Sequence, residues 1–105
     1  MDDIGSWRAK IDVLDEILVD LLNRRAEYAL EIGRIKKDRG MPIYSPEREA
    51  FILREVQAIS KGPLKKEAVR RLFERIIDES RRLEREMVEE TAQEILPPEG
   101  SDSRA

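Results

Sequence analysis

A seven-residue repeat of apolar side chains runs through the first forty residues of the chain. Its two rows are Ile4, Ile11, Leu18, Arg25, Ile32 and Trp7, Leu14, Leu21, Tyr28, Ile35. This spacing predicts one amphipathic helix over about residues 6–39, which Gly40 and Pro42 end. Such a helix would be ~50 Å long, whereas a compact monomer of this size is only roughly 33 Å across. Much of its apolar face must therefore contact a second chain, and a symmetric homodimer is the simplest solution.

Two shorter segments predict further helices. Ser45 and Pro46 are typical of a helix start, with a hydroxyl N-cap before a first-turn proline, and this second helix should end near Ser60. Gly62 and Pro63 separate it from a third helix. The inner row of the third helix is Val69, Phe73, Ile76, Ser80, Leu83, Met87. We therefore predict an all-α domain over residues 1–90, with three helices per protomer, one of them very long, in an intertwined homodimer. Residues 91–105 are expected to form a disordered tail.

Composition excludes several classes of function. The 105 residues include neither cysteine nor histidine, and their formal net charge is −3. Thiol nucleophiles, disulfides, the common zinc sites and imidazole acid-base chemistry are excluded, so we expect no metal and no cofactor. A slightly acidic chain predicts no nucleic-acid partner. Because we find no export signal and no apolar run long enough to span a bilayer, we expect no membrane partner and a cytoplasmic location.

Four polar residues interrupt the apolar faces of the predicted helices: Arg25, Lys36, Ser80 and Glu84. Lys36 lies ~16 Å along the first helix from Arg25 and within roughly 20° of it around the axis, so the two cations could bind an anion between them. Each residue also has a purely structural interpretation. Ser80 could bond to its own helix, Lys36 and Glu84 could be solvated charges, and Arg25 could pair with a glutamate in a dimer seam.

Four segments taken together resemble the all-α chorismate mutase family. They are residues 8–15, residues 21–36, the turn at residues 42–49, and residues 76–80. They occur in the order and spacing of that family, and the resemblance covers about residues 4–88. It implies an isomerase of aromatic amino-acid biosynthesis that converts chorismate to prephenate. It also implies a helical homodimer with two equivalent active sites, each built largely from one protomer and completed by the long helix of the other.

The resemblance further implies how the cations and Ser80 would bind the substrate. Arg8 would reach across the dimer to one substrate carboxylate, and Arg25 would bind the other. Lys36 would contact the ether oxygen and a carboxylate. Ser80 would contact a carboxylate as well.

The remaining matching residues carry two departures from the family. Glu49 and the backbone near Ser45 would bind the ring hydroxyl, and Arg48 is expected to support Glu49 rather than touch substrate. Ser45 stands where aspartate is common, which weakens any side-chain role there. Glu84 falls where many members have glutamine, the second donor to the ether oxygen, and an ionised carboxylate cannot donate.

Other functions remain open at the level of sequence. An isochorismate-pyruvate lyase has a related helical architecture, although the turn at residues 42–49 favours the mutase. A non-catalytic dimerisation module would require an acid facing Arg25 and no anion-sized cavity. A weakly active domain could also depend on docking to another shikimate-pathway enzyme.

Overall fold

The computed structural model describes residues 3–95, with side chains described through residue 90. It contains three helices: α1 spans Ile4–Asp38, α2 spans Pro46–Ile59 and α3 spans Lys66–Ile95. The predicted all-α class is confirmed, and this part of the chain contains no strand. Helix α3 continues beyond the predicted domain end at residue 90. The rest of the expected tail, residues 96–105, lies outside the described residues.

Local chemistry explains where α1 begins and ends. The Asp3 carboxylate accepts a hydrogen bond from the Ser6 N–H at 2.7 Å, which satisfies one of the free amides at the helix start. At the other end, Gly40 has a φ of 67°, a conformation that glycine adopts without steric cost. The Met41 N–H then bonds back to the Lys36 carbonyl at 2.7 Å. The helix therefore stops where the sequence predicted.

The start of α2 departs from the prediction in one detail. Pro46 is the first helical residue and Ser45 holds the N-cap position, but the Ser45 side chain makes no capping hydrogen bond. The expected hydroxyl cap is therefore wrong, and Ser45 lines a pocket instead. Glu47 and Glu49 in the first turn place negative charge near the positive end of the helix dipole, which favours the same start.

The small core of the chain is centred on α3, which packs against both other helices. Among the residues with described side chains, the buried ones are Gly33, Val69, Ile77 and Glu84. Three of these four belong to α3. The approach of α3 to α1 therefore decides which polar groups are removed from water.

The N-terminal half of α1 leaves this core with its apolar face uncovered. Trp7, Ile11 and Leu14 are 51%, 54% and 62% exposed. The radius of gyration is 19.6 Å, well above the ~13 Å of a compact domain of this length. Each Å² of apolar surface left in water costs about 25 cal/mol, so burying this face against another surface would be favourable. That a second copy of the chain covers it stays a prediction. Within the described residues, no helix has a stretch apolar enough to cross a membrane.

Candidate active site

A pocket of about 340 Å³ lies among the three helices. Its polar and charged lining residues, apart from Tyr28, are Arg25, Lys36, Ser45, Arg48, Glu49, Ser80, Arg81, Glu84. These residues come from α1, from the α1–α2 connection, from the first turn of α2 and from the middle of α3. The structure therefore brings together seven of the eight site residues that the sequence predicted.

Arg8 is the predicted site residue that this pocket does not contain. It is exposed on the N-terminal half of α1, ~25 Å along the helix axis from Arg25. At that distance it cannot reach the pocket of its own protomer. Its assignment as a residue contributed by the partner protomer therefore stays a prediction.

Arg25 is held by a hydroxyl group rather than by a carboxylate. Its Nη1 donates a hydrogen bond to the Ser80 Oγ at 2.8 Å, and the Ser80 Oγ donates to the Ile76 carbonyl at 3.0 Å. Ser80 thus bonds to its own helix and also orients the guanidinium. Burial lowers the pKa of Arg25, and the neighbouring positive charge of Arg48 lowers it further. Within the described part of this chain, Arg25 pairs with the Ser80 hydroxyl and with no acid.

Lys36 lines the pocket and forms a hydrogen bond with the connection between α1 and α2. Its Nζ donates a hydrogen bond to the Ile43 carbonyl at 2.8 Å, and the contact is partly buried. An ammonium group has three donors, so two remain for a ligand. Lys36 lines the same pocket as Arg25, as the shared helical face of the two residues predicted.

Glu84 is buried, so its interpretation as one more solvated charge is wrong. Only 7% of the surface of Glu84 is exposed to solvent. Burial raises the pKa of its carboxyl group, the charge of Lys36 opposes this rise, and the charge of Glu49 adds to it. Gly33 permits the burial, because a β-carbon there would lie 3.2 Å from the Glu84 Cγ and 3.1 Å from the Met87 Cε. The neutral form of Glu84 can donate a hydrogen bond, whereas the ionised form can only accept.

Glu49 forms an ion pair with Arg81 and not, as expected, with Arg48. The Arg81 Nε and Nη2 donate to the two Glu49 carboxylate oxygens at 3.0 and 2.7 Å. The Arg48 guanidinium instead lies over the Phe51 ring, 5.3 Å from its centroid. A planar guanidinium can bind both oxygens of one carboxylate only from a suitable direction, and that direction is set by how α3 sits on α2.

Arg81 is therefore a pocket-lining residue, paired with Glu49, that sequence reasoning missed. It stands in a run of charges, residues 78–86, that is typical of a solvated helix face. One signal could have found it: Arg81 follows the buried Ile77 by four residues and precedes Glu84 by three, which places all three on one helical face. Among the described residues no group of three or more acidic, histidine or cysteine side chains could hold a metal ion. Apart from Tyr28, the polar lining of the pocket consists of four cations, two carboxylates and two serine hydroxyls.

Comparison with known proteins identifies the family to which this chain is similar. The family model described as "Chorismate mutase type II" matches residues 7–85. A bifunctional chorismate mutase/prephenate dehydratase from Stutzerimonas stutzeri is 37% identical over 109 aligned residues, covering 99% of this chain and 29% of that protein. The chain thus spans less than a third of the length of the bifunctional relatives it matches.

Solved structures extend the similarity to the whole fold. A chorismate mutase from Thermus thermophilus superposes with a TM-score of 0.78 at 33% identity, covering 80% of this chain and 96% of that one. A chorismate mutase from Helicobacter pylori, determined in complex with prephenate, superposes with a TM-score of 0.73 at 34% identity, covering 90% and 97%.

Proposed function

Because this chain belongs to the chorismate mutase type II family, we propose that it converts chorismate to prephenate. The observation that carries the proposal is the environment of Arg25. Its partly buried guanidinium is held by the Ser80 hydroxyl and faces a pocket that also contains Lys36. A buried cation without a paired acid is costly unless an anion occupies the site during function. Chorismate carries two carboxylates, and the H. pylori relative was determined with prephenate.

The reaction suits a pocket that offers only charge and shape. The allylic C–O bond of chorismate breaks while a C–C bond forms in one concerted [3,3] shift, so neither a nucleophile nor a proton abstraction is needed. The flexible enolpyruvyl arm must be held over the ring, and Arg25 supplies a fixed contact for one carboxylate. The ether oxygen gains negative charge in the transition state, and the Lys36 ammonium would stabilise that charge.

Glu84 would provide the second donor to the ether oxygen. An ionised carboxylate there would repel the developing charge, whereas a protonated one would donate to it. Burial raises the pKa of Glu84. The two negative charges of the substrate would raise it further. Glu49 and the backbone of Ser45 would bind the ring hydroxyl at the start of α2.

We include in the proposal a homodimer in which each pocket is completed by the partner protomer. The uncovered apolar face of α1 supports this arrangement, since Trp7, Ile11 and Leu14 need a covering surface. Arg8 lies on the same half of that helix and would enter the pocket of the other protomer, where it would bind the second substrate carboxylate. Docking to another shikimate-pathway enzyme would be a separate contact.

The alternatives are weakened to different degrees. A non-catalytic dimerisation module required an acid facing Arg25 and no cavity, but the described partner of Arg25 is Ser80 and the pocket measures about 340 Å³. A lyase acting on isochorismate would use similar cations. The Glu49 carboxylate, held in the pocket wall beside the start of α2, favours a substrate with a ring hydroxyl at that wall.

The decisive experiment follows both substrates directly. Purified protein is added to chorismate and, separately, to isochorismate, and the ultraviolet absorbance of each substrate is recorded together with the release of prephenate or pyruvate. We expect chorismate to be converted to prephenate and isochorismate to persist. The same assay is run on Arg25→Ala, which should lose most of its activity. Arg24→Ala is the matched control, because Arg24 is exposed and pairs with Asp20 outside the pocket. Pyruvate release from isochorismate without prephenate formation would replace the mutase by the lyase.

A further inference from the structure

Arg81 lines the pocket and is fixed from three directions. Its Nε and Nη2 donate to different oxygens of Glu49, at 3.0 and 2.7 Å. Its guanidinium carbon lies 5.0 Å from the centroid of the Tyr44 ring, and its Nη2 lies 3.3 Å from a carboxylate oxygen of Asp78. The Arg81 and Glu49 side chains are 24% and 23% exposed, so water competes only partly for this pair. The arginine thus joins α3, α2 and the α1–α2 connection at one point.

This geometry leaves Glu49 oriented but still able to accept a hydrogen bond. A carboxylate offers about four lone-pair positions, and the fork of Arg81 occupies one on each oxygen. The plane of the carboxylate is set by the guanidinium, while the remaining positions stay open toward the pocket. The positive charge of Arg81 also offsets the negative charge of Glu49, which would otherwise repel a substrate with two carboxylates.

We infer that Arg81 is a positioning residue, which orients the Glu49 carboxylate as an acceptor for the ring hydroxyl of the substrate and offsets its charge. The inference rests on the proposed function, and it assigns to Arg81 a contact with Glu49 rather than with the substrate. The hydrogen bonds to Glu49 raise the pKa of Arg81, so the guanidinium stays charged throughout the working range.

Two substitutions separate the orienting role from the charge. Arg81→Gln removes both, whereas Arg81→Lys keeps the charge but cannot span two oxygens with one ammonium group. We expect kcat/KM for chorismate to fall ten- to a hundredfold in Arg81→Gln and by about threefold to tenfold in Arg81→Lys. Arg70→Gln is the matched control, because Arg70 also pairs with a glutamate on α3, Glu74, but lies outside the pocket.

A double-mutant cycle tests whether Arg81 acts through Glu49. In a Glu49→Gln background the acceptor has already lost its charge and its fork, so adding Arg81→Gln should change kcat/KM by less than about twofold. An additional tenfold loss in that background would mean that Arg81 contacts the substrate itself, and would overturn the inference.

The pH profile provides a readout that a merely structural arginine would not move. Glu84 shares the pocket with three titratable groups of α1, two of α2 and one of its own helix: Arg25, Tyr28, Lys36, Arg48, Glu49 and Arg81. Tyr44 stacks on Arg81. Because the charge of Glu49 raises the pKa of Glu84, losing the compensating Arg81 should raise it further. The midpoint of the activity profile should therefore move to higher pH in Arg81→Gln and stay in place in Arg81→Lys.

The outcomes distinguish this inference from the proposed function. If the wild-type protein does not consume chorismate, the proposed function fails and this inference fails with it. If the wild type is active while Arg81→Gln keeps its kcat/KM and its pH profile, the inference alone is overturned. Circular dichroism and melting curves are recorded for each variant. If Arg81→Gln is unfolded at the assay temperature, Arg81→Lys decides, and wild-type kcat/KM in that folded variant overturns the orienting role.

Discussion

Gly33 on α1 and Glu84 on α3 lie so close that a β-carbon on residue 33 would be 3.2 Å from the Glu84 Cγ. This close approach is what buries Glu84, and burial is the largest cause of the raised pKa of its carboxyl group. A glycine in a long helix therefore favours the raised pKa of a carboxyl group 51 positions later. The relationship links the packing of two helices directly to the chemistry of the pocket.

We expect Gly33→Ala to affect activity more than stability. Alanine gains about 1 kcal/mol of helix propensity over glycine, which offsets part of the steric cost of the new methyl group. The melting temperature should change by only a few degrees. Displacing Glu84 should nevertheless lower kcat/KM at least several-fold, roughly 1 kcal/mol or more. Gly5→Ala is the control, because a β-carbon there meets only the Asp3 carboxylate oxygen at 3.5 Å. A fully active Gly33→Ala protein would show that the exact position of Glu84 is unimportant.

Arg25→Ala should remove substrate binding without unfolding the protein. A desolvated charge contact is worth about 3 kcal/mol of transition-state stabilisation, so kcat/KM should fall roughly 150-fold. The empty protein should keep or gain stability, because the substitution removes a partly buried cation that Arg48 repels. Enzyme kinetics and thermal denaturation measured on the same preparation test both statements. An active but unfolding-prone variant would make Arg25 a structural residue.

Activity should rise as the pH falls below neutrality, because the reaction needs the neutral form of Glu84. Glu84→Gln donates at every pH, so its profile should be flat and its rate at about pH 8 should exceed that of the wild type. The measurement is a pH series on both proteins at fixed ionic strength, following chorismate. A flat wild-type profile, or a glutamine variant slower throughout, would remove Glu84 from the role of second donor.

The same raised pKa makes a prediction about the stability of the ligand-free protein. A carboxyl group whose pKa is higher in the folded state contributes stability that is fully present below its unfolded pKa and is lost as the pH rises through the folded pKa. Glu84→Gln should therefore melt at a higher temperature than the wild type at about pH 8, and the difference should shrink toward about pH 4. Equal melting temperatures at both pH values would argue that Glu84 ionises without penalty.

Mixing two inactive variants should restore activity if the pockets are shared between protomers. Arg8→Ala and Arg25→Ala each disable both pockets of a homodimer, but a mixed dimer contains one pocket with both arginines intact. Equal amounts, unfolded and refolded together, should recover about one quarter of the wild-type activity. Sedimentation should show a dimer and no folded monomer at micromolar concentration. No recovery from a dimeric mixture would place Arg8 outside the partner's pocket.

Much of the fold was predictable because its determinants are local. The seven-residue repeat, the Ser45-Pro46 start and the breaks at Gly40 and Gly62 depend only on neighbouring residues, and they placed α1 and α2 to within a few residues of Ile4–Asp38 and Pro46–Ile59. Helix α3, Lys66–Ile95, extends past the predicted domain end at residue 90. Several predicted site residues were also marked locally, since Arg25 and Ser80 interrupt otherwise apolar rows and Lys36 lies on the same helical face as Arg25. A polar group on an inward helical face stands out without knowledge of what it faces.

Local patterns in the chain are therefore enough to specify three helices, a face that needs a partner surface, and a set of polar residues turned inward. Which of these residues meet depends on how the helices pack. The pairing of Arg81 with Glu49 spans 32 positions and depends on how α3 lies on α2. The sequence therefore pointed to the neighbouring Arg48 as the partner of Glu49, and the structure shows Arg81 instead. The burial of Glu84 depends on the missing side chain of Gly33. The direction of a hydrogen bond and the desolvation of a charged group depend on how two helices pack together. The sequence pattern of a single helix does not determine that packing.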